Sequence, residues 1–443
     1  MSKFLGDVLK LDSDNKIDIL DNKQYRISGV QNYGQGIVIR REVSGKELTM
    51  KKYQIIKNNQ LMWCKVDTKS GAFGLTKNEH VGSLASTNMA LANIDTEQII
   101  PDFLEMLFQN KHFHEHITKY SSGSTNRKYL TPKQLFDLIE IPDLTIDEQK
   151  KFLNKVNNLK NSGLSDEIDT QQSLLKQLKQ TILQEAIEGK LTVKWRVKNP
   201  DIGTAKELLE QIKTEKEKLI KEKKIKQGKK QTANEIENLD IEIPDSWLLV
   251  DLDDITQYIT DGTHQTPRYV ENGRMFLSAQ NVKPFKFMPE IYRCVSEEDY
   301  QKYIANRQTE KGDLLLGRVG AGIGETAVVD QDLEFAIYVS LGLVKTFKQF
   351  TNPEYLATVF NSPYGVRYAK GNISSGGGSA GNFNLGRIRS FPIPFPPLEE
   401  QKKIVATIEK LFTLCNELES EINQNKITVD NLMATVFKEA FKQ

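Results

Sequence analysis

The sequence predicts a mixed α/β protein of the α+β class: two similar globular units separated by long antiparallel helices, with an internal pseudo-two-fold repeat. Three observations carry this expectation. Segments recur in the same order at a nearly constant offset, each block opens with short apolar runs broken by Gly, Asn, Asp and Pro, and each closes on a heptad seam.

The repeat is the strongest of these signals. IPDLTIDEQKKF starts at Ile141 and IPFPPLEEQKKI at Ile393, an offset of 252, with six of twelve positions identical. The identities include Glu148-Gln149-Lys150-Lys151 against Glu400-Gln401-Lys402-Lys403. At the same offset of 252, PDFL at Pro101 faces PEYL at Pro353. LKQTILQEA ending at Ala186 faces LMATVFKEA ending at Ala440, now at offset 254. The chain therefore reads as a tandem duplication of roughly 1–190 and 247–443.

Within each copy the elements follow one order. Short β-branched and apolar runs, such as GRMFLSAQNV, GDLLLGRVG and EFAIYVSLGLVKTF, predict strands. A single helix opened by proline follows, PDFLEMLFQNKHFHEHITKY in the first copy and PEYLATVFNSPYGVRYAKG in the second, with Pro101 and Pro353 in the first turn. Next come loops of small polar residues, SSGSTNRKY from Ser121 and SSGGGSAGNFN from Ser374. The copies end on helices. Ile168, Leu175, Leu178 and Ile182 form a seam at spacings 7, 3 and 4, and Ile422, Val429, Leu432 and Val436 repeat it. Two such seams predict helices that pack on each other, antiparallel because a globular domain separates them. A helix over about Ser165–Glu188 would be ~36 Å long at 1.5 Å per residue, close to one turn of B-DNA.

Composition limits the alternatives. The 443 residues suit two to three domains, and 38% hydrophobic, 27% charged and 8% aromatic residues exclude a largely disordered chain. No run approaches the ~20 apolar residues of a membrane span, and MSKFLGDVLKLDSDNK does not read as a signal peptide. Cys64, Cys294 and Cys415 lie far apart without a CxxC pair, which argues against a disulfide framework and favours a reducing cytoplasm. Net charge is +1, yet Lys206–Lys230 carries ten Lys and five Glu, a solvated helix or a phosphate-facing stripe.

The whole chain resembles the specificity subunit of type I restriction–modification enzymes. The resemblance rests on the paired IPDLTIDEQ and IPFPPLEEQKKI motifs, on ILQEAIEGKL and VFKEAF after them, on the central TAKELLEQIKTEKEKLIKE, and on DGTHQTPRYVENGRMFLSAQNV. The first copy departs from the pattern, lacking a GTHQTP-like segment. The resemblance implies a target-recognition domain over 1–145, a central helical spacer over 146–240, a second recognition domain over 241–397 and a distal helical region over 398–443. It further implies that each recognition domain reads one half-site of double-stranded DNA. The helical regions would set the spacer and dock two methyltransferase subunits, which use S-adenosylmethionine to methylate adenine. A further restriction subunit would translocate and cleave. The chain itself would bind no cofactor, sit on no membrane and catalyse nothing.

Arg, Lys, Gln and Asn suit base edges in the major groove. The candidates in the second copy are Thr263, His264, Gln265, Arg268, Gln280, Asn281 and Arg318, with Asn382 and Asn384 beside the glycine loop at a phosphate. In the first copy Gln31 and Asn32 face Gln280 and Asn281, and Lys65 faces Arg318, while Arg40, Arg41, Arg127 and Lys128 suit phosphates. Glu148, Gln149, Glu400 and Gln401 are the candidate partner-docking residues.

Catalytic readings are weaker. Asn352-Pro353-Glu354-Tyr355 approximates a methyltransferase tetrapeptide, but a helix start explains it. VGAGIGETAVV is not GxGxxG and predicts a turn or bulged strand. Pro142-Asp143 and Glu148-Gln149-Lys150 are too close together for a nuclease hairpin, and His112, His114 and His116 read as surface residues rather than a metal site. A stand-alone methyltransferase or nuclease, or a protein-binding scaffold, are the competing readings.

Overall fold

The computed structural model describes residues 3–442 apart from 66–71, 87, 121, 125–126, 130, 227–228, 230–240, 306 and 375–380. The chain divides into two compact units. One holds residues 1–169 and 423–443, the other 170–422. The divisions fall inside long helices, so each unit takes part of them.

In the first unit, Leu9–Leu11, Met89–Ile94, Gln60–Cys64 and Phe73–Leu75 lie side by side, in that order, as an antiparallel sheet. A second sheet centres on Gln24–Val30, antiparallel to Ile37–Ser44 and parallel to Leu84–Ala85. A short ribbon of Lys3–Phe4 with Glu140–Ile141 closes the domain. Leu61, Met62 and Trp63 are buried in succession, so the central strand carries apolar residues on both faces rather than alternating.

The second unit repeats this topology. Its main sheet runs Thr256–Asp261, Leu341–Thr346, Leu314–Gly317, Thr326–Val328, again antiparallel. Its second sheet centres on Arg274–Leu277, antiparallel to Arg293–Val295 and parallel to Phe335–Ile337. The closing ribbon pairs Leu248–Asp251 with Pro392–Phe395. Leu314, Leu315 and Leu316 are all fully buried. Each such side chain contributes about 1.5–3 kcal/mol on leaving water.

The helices depart from expectation in two ways. The proline-opened helix of each copy is two helices, not one: Pro101–Gln109 then Lys111–Lys119, and Pro353–Asn361 then Pro363–Gly371. Asn110 leaves the helical region at the first break. At the second, Pro363 has no N–H to continue the ladder, and the Ser362 side chain caps the new helix through the N–H of Gly365. The terminal helices also differ. The first copy breaks between Ile146–Asn161 and Leu164–Ile187, because Gly163 sits at φ +72°, whereas Leu398–Lys442 runs unbroken for 45 residues.

Helix pairing is antiparallel within the second unit. Lys179 Nζ reaches Asn416 and Glu419 at 3.1 and 2.7 Å, and Arg196 reaches Glu400. In the first unit Phe152 meets both Phe103 and Phe437 edge-on, each at 5.2 Å. No helix among the described residues is long and apolar enough to cross a membrane.

Candidate nucleic-acid interface

One edge of the second unit gathers five of the sequence candidates. Thr256–Asp261 ends at Asp261, and the chain then turns through Gly262, where a Cβ would lie 2.1 Å from the Ile337 carbonyl. Only glycine fits there. Thr263 extends the sheet edge: its N–H donates to Ile337 O at 3.0 Å and its carbonyl accepts from Val339 N at 3.0 Å. His264 stands exposed, its Nε2 2.9 Å from Asp261 Oδ2, and Gln265 follows it into solvent.

Arg318 is the hub of this edge. It follows the buried strand Leu314–Gly317 and is 4% exposed. Its Nη1 donates to the Asp261 carboxylate and to Val339 O at 3.2 Å, and its Nε donates to Phe383 O at 3.1 Å. Its Nη2 lies 3.5 Å from Asn382 Oδ1. Burial pulls the guanidinium below its usual pKa, against the opposing pull of Asp261. The expectation that Arg318 contacts a base is therefore corrected. Its donors are spent inside the protein, tying together the turns that present His264 and Asn382.

Three other candidates also turn inward. Asn281 is buried, accepting from Ser278 N at 2.9 Å and donating to Met288 O and Ile291 O. It staples a turn rather than meeting a base. Thr263 is buried by its place in the sheet edge. Asn384 caps the short helix Leu385–Arg389 through Arg387 N at 3.0 Å. Gln280 and Arg268 remain exposed. The VGAGIGETAVV run is a turn that leads into the strand Thr326–Val328, held by Gly317 N to Glu325 O at 2.9 Å.

The first unit presents the matching turn differently. Gln31 and Asn32 are exposed between Gln24–Val30 and Ile37–Ser44, closed by Gln31 N to Gly36 O at 2.8 Å. Beside them Tyr33 is 75% exposed at φ +59°, an aromatic that sequence reasoning passed over. Asp261 was also missed, though its position three residues before His264 is the signal that would have found it. Arg40 donates to Val30 O at 2.9 Å, and Arg41 and Lys65 are exposed. Lys65 N donates to Asn88 O at 2.9 Å, as Arg318 N donates to Ser340 O at 2.8 Å, so the two occupy equivalent places. Arg127 and Lys128 lie on Arg127–Tyr129, but their side chains fall outside the described residues, as do the glycines of 375–380. His114 is half-buried near Phe73, not a surface residue, and burial lowers its pKa; the side chains of His112 and His116 are outside the described set.

The docking candidates divide. Gln149, Glu400 and Gln401 are buried and bonded within their own units, which corrects their assignment to a partner surface. Glu148 alone is exposed.

Residues 247–427 match the family model of the Type I restriction modification DNA specificity domain. The type I restriction enzyme EcoAI specificity subunit of Escherichia coli is 26% identical over 294 residues, covering 59% of this chain and 44% of that protein. The EcoKI specificity subunit of Escherichia coli strain K12 is 24% identical over 346 residues, 76% of this chain and 62% of its own length. The matched part is thus 44% to 62% of these relatives. A chain from a structure on complex assembly and conformational transition of the type I R-M system aligns over 100% of this chain and 97% of its own. Its TM-score is 0.66 at 15% identity, which establishes a shared fold.

The chain carries a duplicated α+β module, and its second copy matches a DNA specificity domain. Residues 247–427 match that domain family, and the chain is similar to these two type I specificity subunits over 59% and 76% of its length.

Proposed function

We propose that this chain is the DNA-reading subunit of a type I restriction–modification complex, with each unit reading one half of a bipartite site. The observation that carries the reading is the twofold occurrence of one topology in a chain whose second copy matches a DNA specificity domain. Two related heads on one polypeptide suit two separate short tracts of duplex. Arg318 and Asp261 act as the frame of the second reading edge, and His264, Gln265, Arg268 and Gln280 are its contact residues. Gln31, Asn32, Arg40, Arg41 and Lys65 serve the first. Sequence would be read by base-edge contacts and register fixed by phosphate contacts.

In this reading the methyl donor S-adenosylmethionine and the chemistry belong to two methyltransferase subunits, with a nuclease–translocase joining them, and the complex works in the cytoplasm. The chain supplies recognition and no catalytic group. Co-expression with a methyltransferase partner, followed by genome-wide mapping of methylated adenines, tests it. The expected result is methylation at one bipartite motif that disappears when this chain is omitted. Methylation by the isolated chain, or a motif unchanged without it, would reject the reading.

A further inference from the structure

His264 is an exposed side chain held by an enclosed one. Its own side chain is 71% exposed, that of Asp261 12%. The backbone on either side of the ring is fixed. Thr263 is tied into the sheet edge through Ile337 O and Val339 N, and Gln265 N donates to Thr263 Oγ1 at 3.2 Å. The ring closes on Asp261, with Nε2 2.9 Å from Oδ2. Asp261 is itself anchored, because the same oxygen accepts from the buried Arg318. The orientation of the imidazole is therefore set from inside the protein before any ligand arrives.

That bond also decides what the ring offers outward. A carboxylate has lone pairs and no proton, so the nitrogen facing Asp261 carries the N–H. In a neutral imidazole the other nitrogen is then an acceptor. Here that nitrogen is Nδ1, which bonds to nothing among the described residues. Asp261 is not an unmatched charge that calls for an imidazolium. Arg318 already engages it, and Arg389 lies within its field. With its charge met, Asp261 acts on His264 as a hydrogen-bond acceptor.

We propose that Asp261 fixes His264 as an acceptor, and that His264 Nδ1 selects a base bearing an exocyclic amino group in the half-site read by the second unit. The proposal rests on the DNA reading above and deepens it. Duplex DNA presents donors only on such groups, adenine N6 and cytosine N4 in the major groove and guanine N2 in the minor groove. Phosphate oxygens, guanine O6 and N7 and thymine O4 are acceptors, and their lone pairs repel that of Nδ1. His264 therefore reads sequence instead of fixing register. Asp261 touches no DNA and is a positioning residue: it holds both the direction of the ring and the nitrogen that carries its proton.

The test uses the full chain with its methyltransferase partner and duplexes carrying the mapped motif. Amino groups are deleted one at a time, with purine for adenine, 2-pyrimidinone for cytosine and hypoxanthine for guanine. One deletion in one half-site should weaken the parent complex roughly three- to tenfold. The His264→Ala complex should bind the intact duplex more weakly by the same factor and lose nothing further on that deletion, the signature of a paired contact in a double-mutant cycle. Its slope of log affinity against log salt should equal the parent's. Asp261→Ala should lose discrimination at that same base pair and at no other, although the imidazole is still present; damage to the whole edge would weaken every position alike. His264 is exposed and can be replaced without risk to the fold, so its cycle decides the matter even where Asp261→Ala does not fold. A His264→Ala loss shared by all duplexes, with the salt slope reduced by about one, would make the ring a phosphate contact and overturn the proposal. A mapped motif at which no deletion couples to His264 overturns it too and leaves the DNA reading standing. A motif methylated identically without this chain rejects that reading itself.

Discussion

Gln401 accepts the backbone N–H of Asn352 at 2.8 Å, across 49 residues, and donates to Pro396 O at 2.9 Å. Gln149 does the same in the other copy. It accepts from Ile100 N at 2.8 Å, also 49 residues away, and donates to Leu144 O at 2.9 Å. The residue just before each proline-opened helix has a backbone donor that the helix cannot use. In both copies one glutamine from the EQKK motif satisfies it and ties the start of the proline-opened helix to the helix that carries the motif. The recurrent glutamine is an internal joint, which explains why it recurs without facing a partner.

Removing that joint should cost stability. Gln401→Ala leaves the Asn352 N–H and the Pro396 carbonyl unpaired in a buried corner, and a loss of about 1–3 kcal/mol is expected, with Gln149→Ala similar. Urea midpoints of the two variants measure it. A loss below ~0.5 kcal/mol in both would contradict the role.

Arg318→Ala should be more damaging, because it strands the Asp261 carboxylate in a largely enclosed site. Breaking a buried pair from one side costs about 3–5 kcal/mol. Arg318→Lys keeps the charge but not the fork, and should recover only part of it. DNA affinity should fall in the lysine variant while the slope of log affinity against log salt stays that of the parent, because no phosphate contact is lost. A slope reduced by about one would show that Arg318 meets a phosphate after all. Arg268→Ala, by contrast, should weaken one half-site by about 1–3 kcal/mol if it reads a base.

His114 provides a pH dependence with a definite sign. Burial lowers its pKa in the folded chain, so the unfolded chain binds more protons near the ordinary imidazole value. Stability therefore rises with pH on approach to about 6.5 and falls as pH drops below it. His114→Leu should flatten that slope in denaturation curves taken between about pH 5 and 7. An unchanged slope would remove His114 as its source.

Exchanging residues 1–145 for another recognition domain should alter one half of the methylated motif and leave the other intact. Adenine-methylation mapping reads this directly. A change in both halves would show that the two heads do not read independently.

Much of this architecture was legible in the sequence. The offset of 252 located two copies, and both show one strand order. The helix expected over about Ser165–Glu188 is Leu164–Ile187. Asn352 caps its helix as its type and place before Pro353 imply, through Tyr355 N at 2.8 Å. Side-chain destinations were less legible. Arg318, Asn281 and Glu400 carry polar groups that suit DNA or a partner, and all three are buried against atoms distant in sequence. Residue type states what a group can bond to, but only packing decides which bonds it spends internally.

Sequence by itself determined the duplication and the place of the helix starts, because proline position and repeated spacing are local properties, but not that each proline-opened helix is two. Tertiary structure alone decided that Glu400 is strapped down by Thr192, Arg196 and Trp247 while Glu148 stays open. The physical reason is that a carboxylate becomes buried only where distant segments bring a cation and donors to it. The same four letters, EQKK, therefore stand in a covered corner in one copy and in an exposed one in the other.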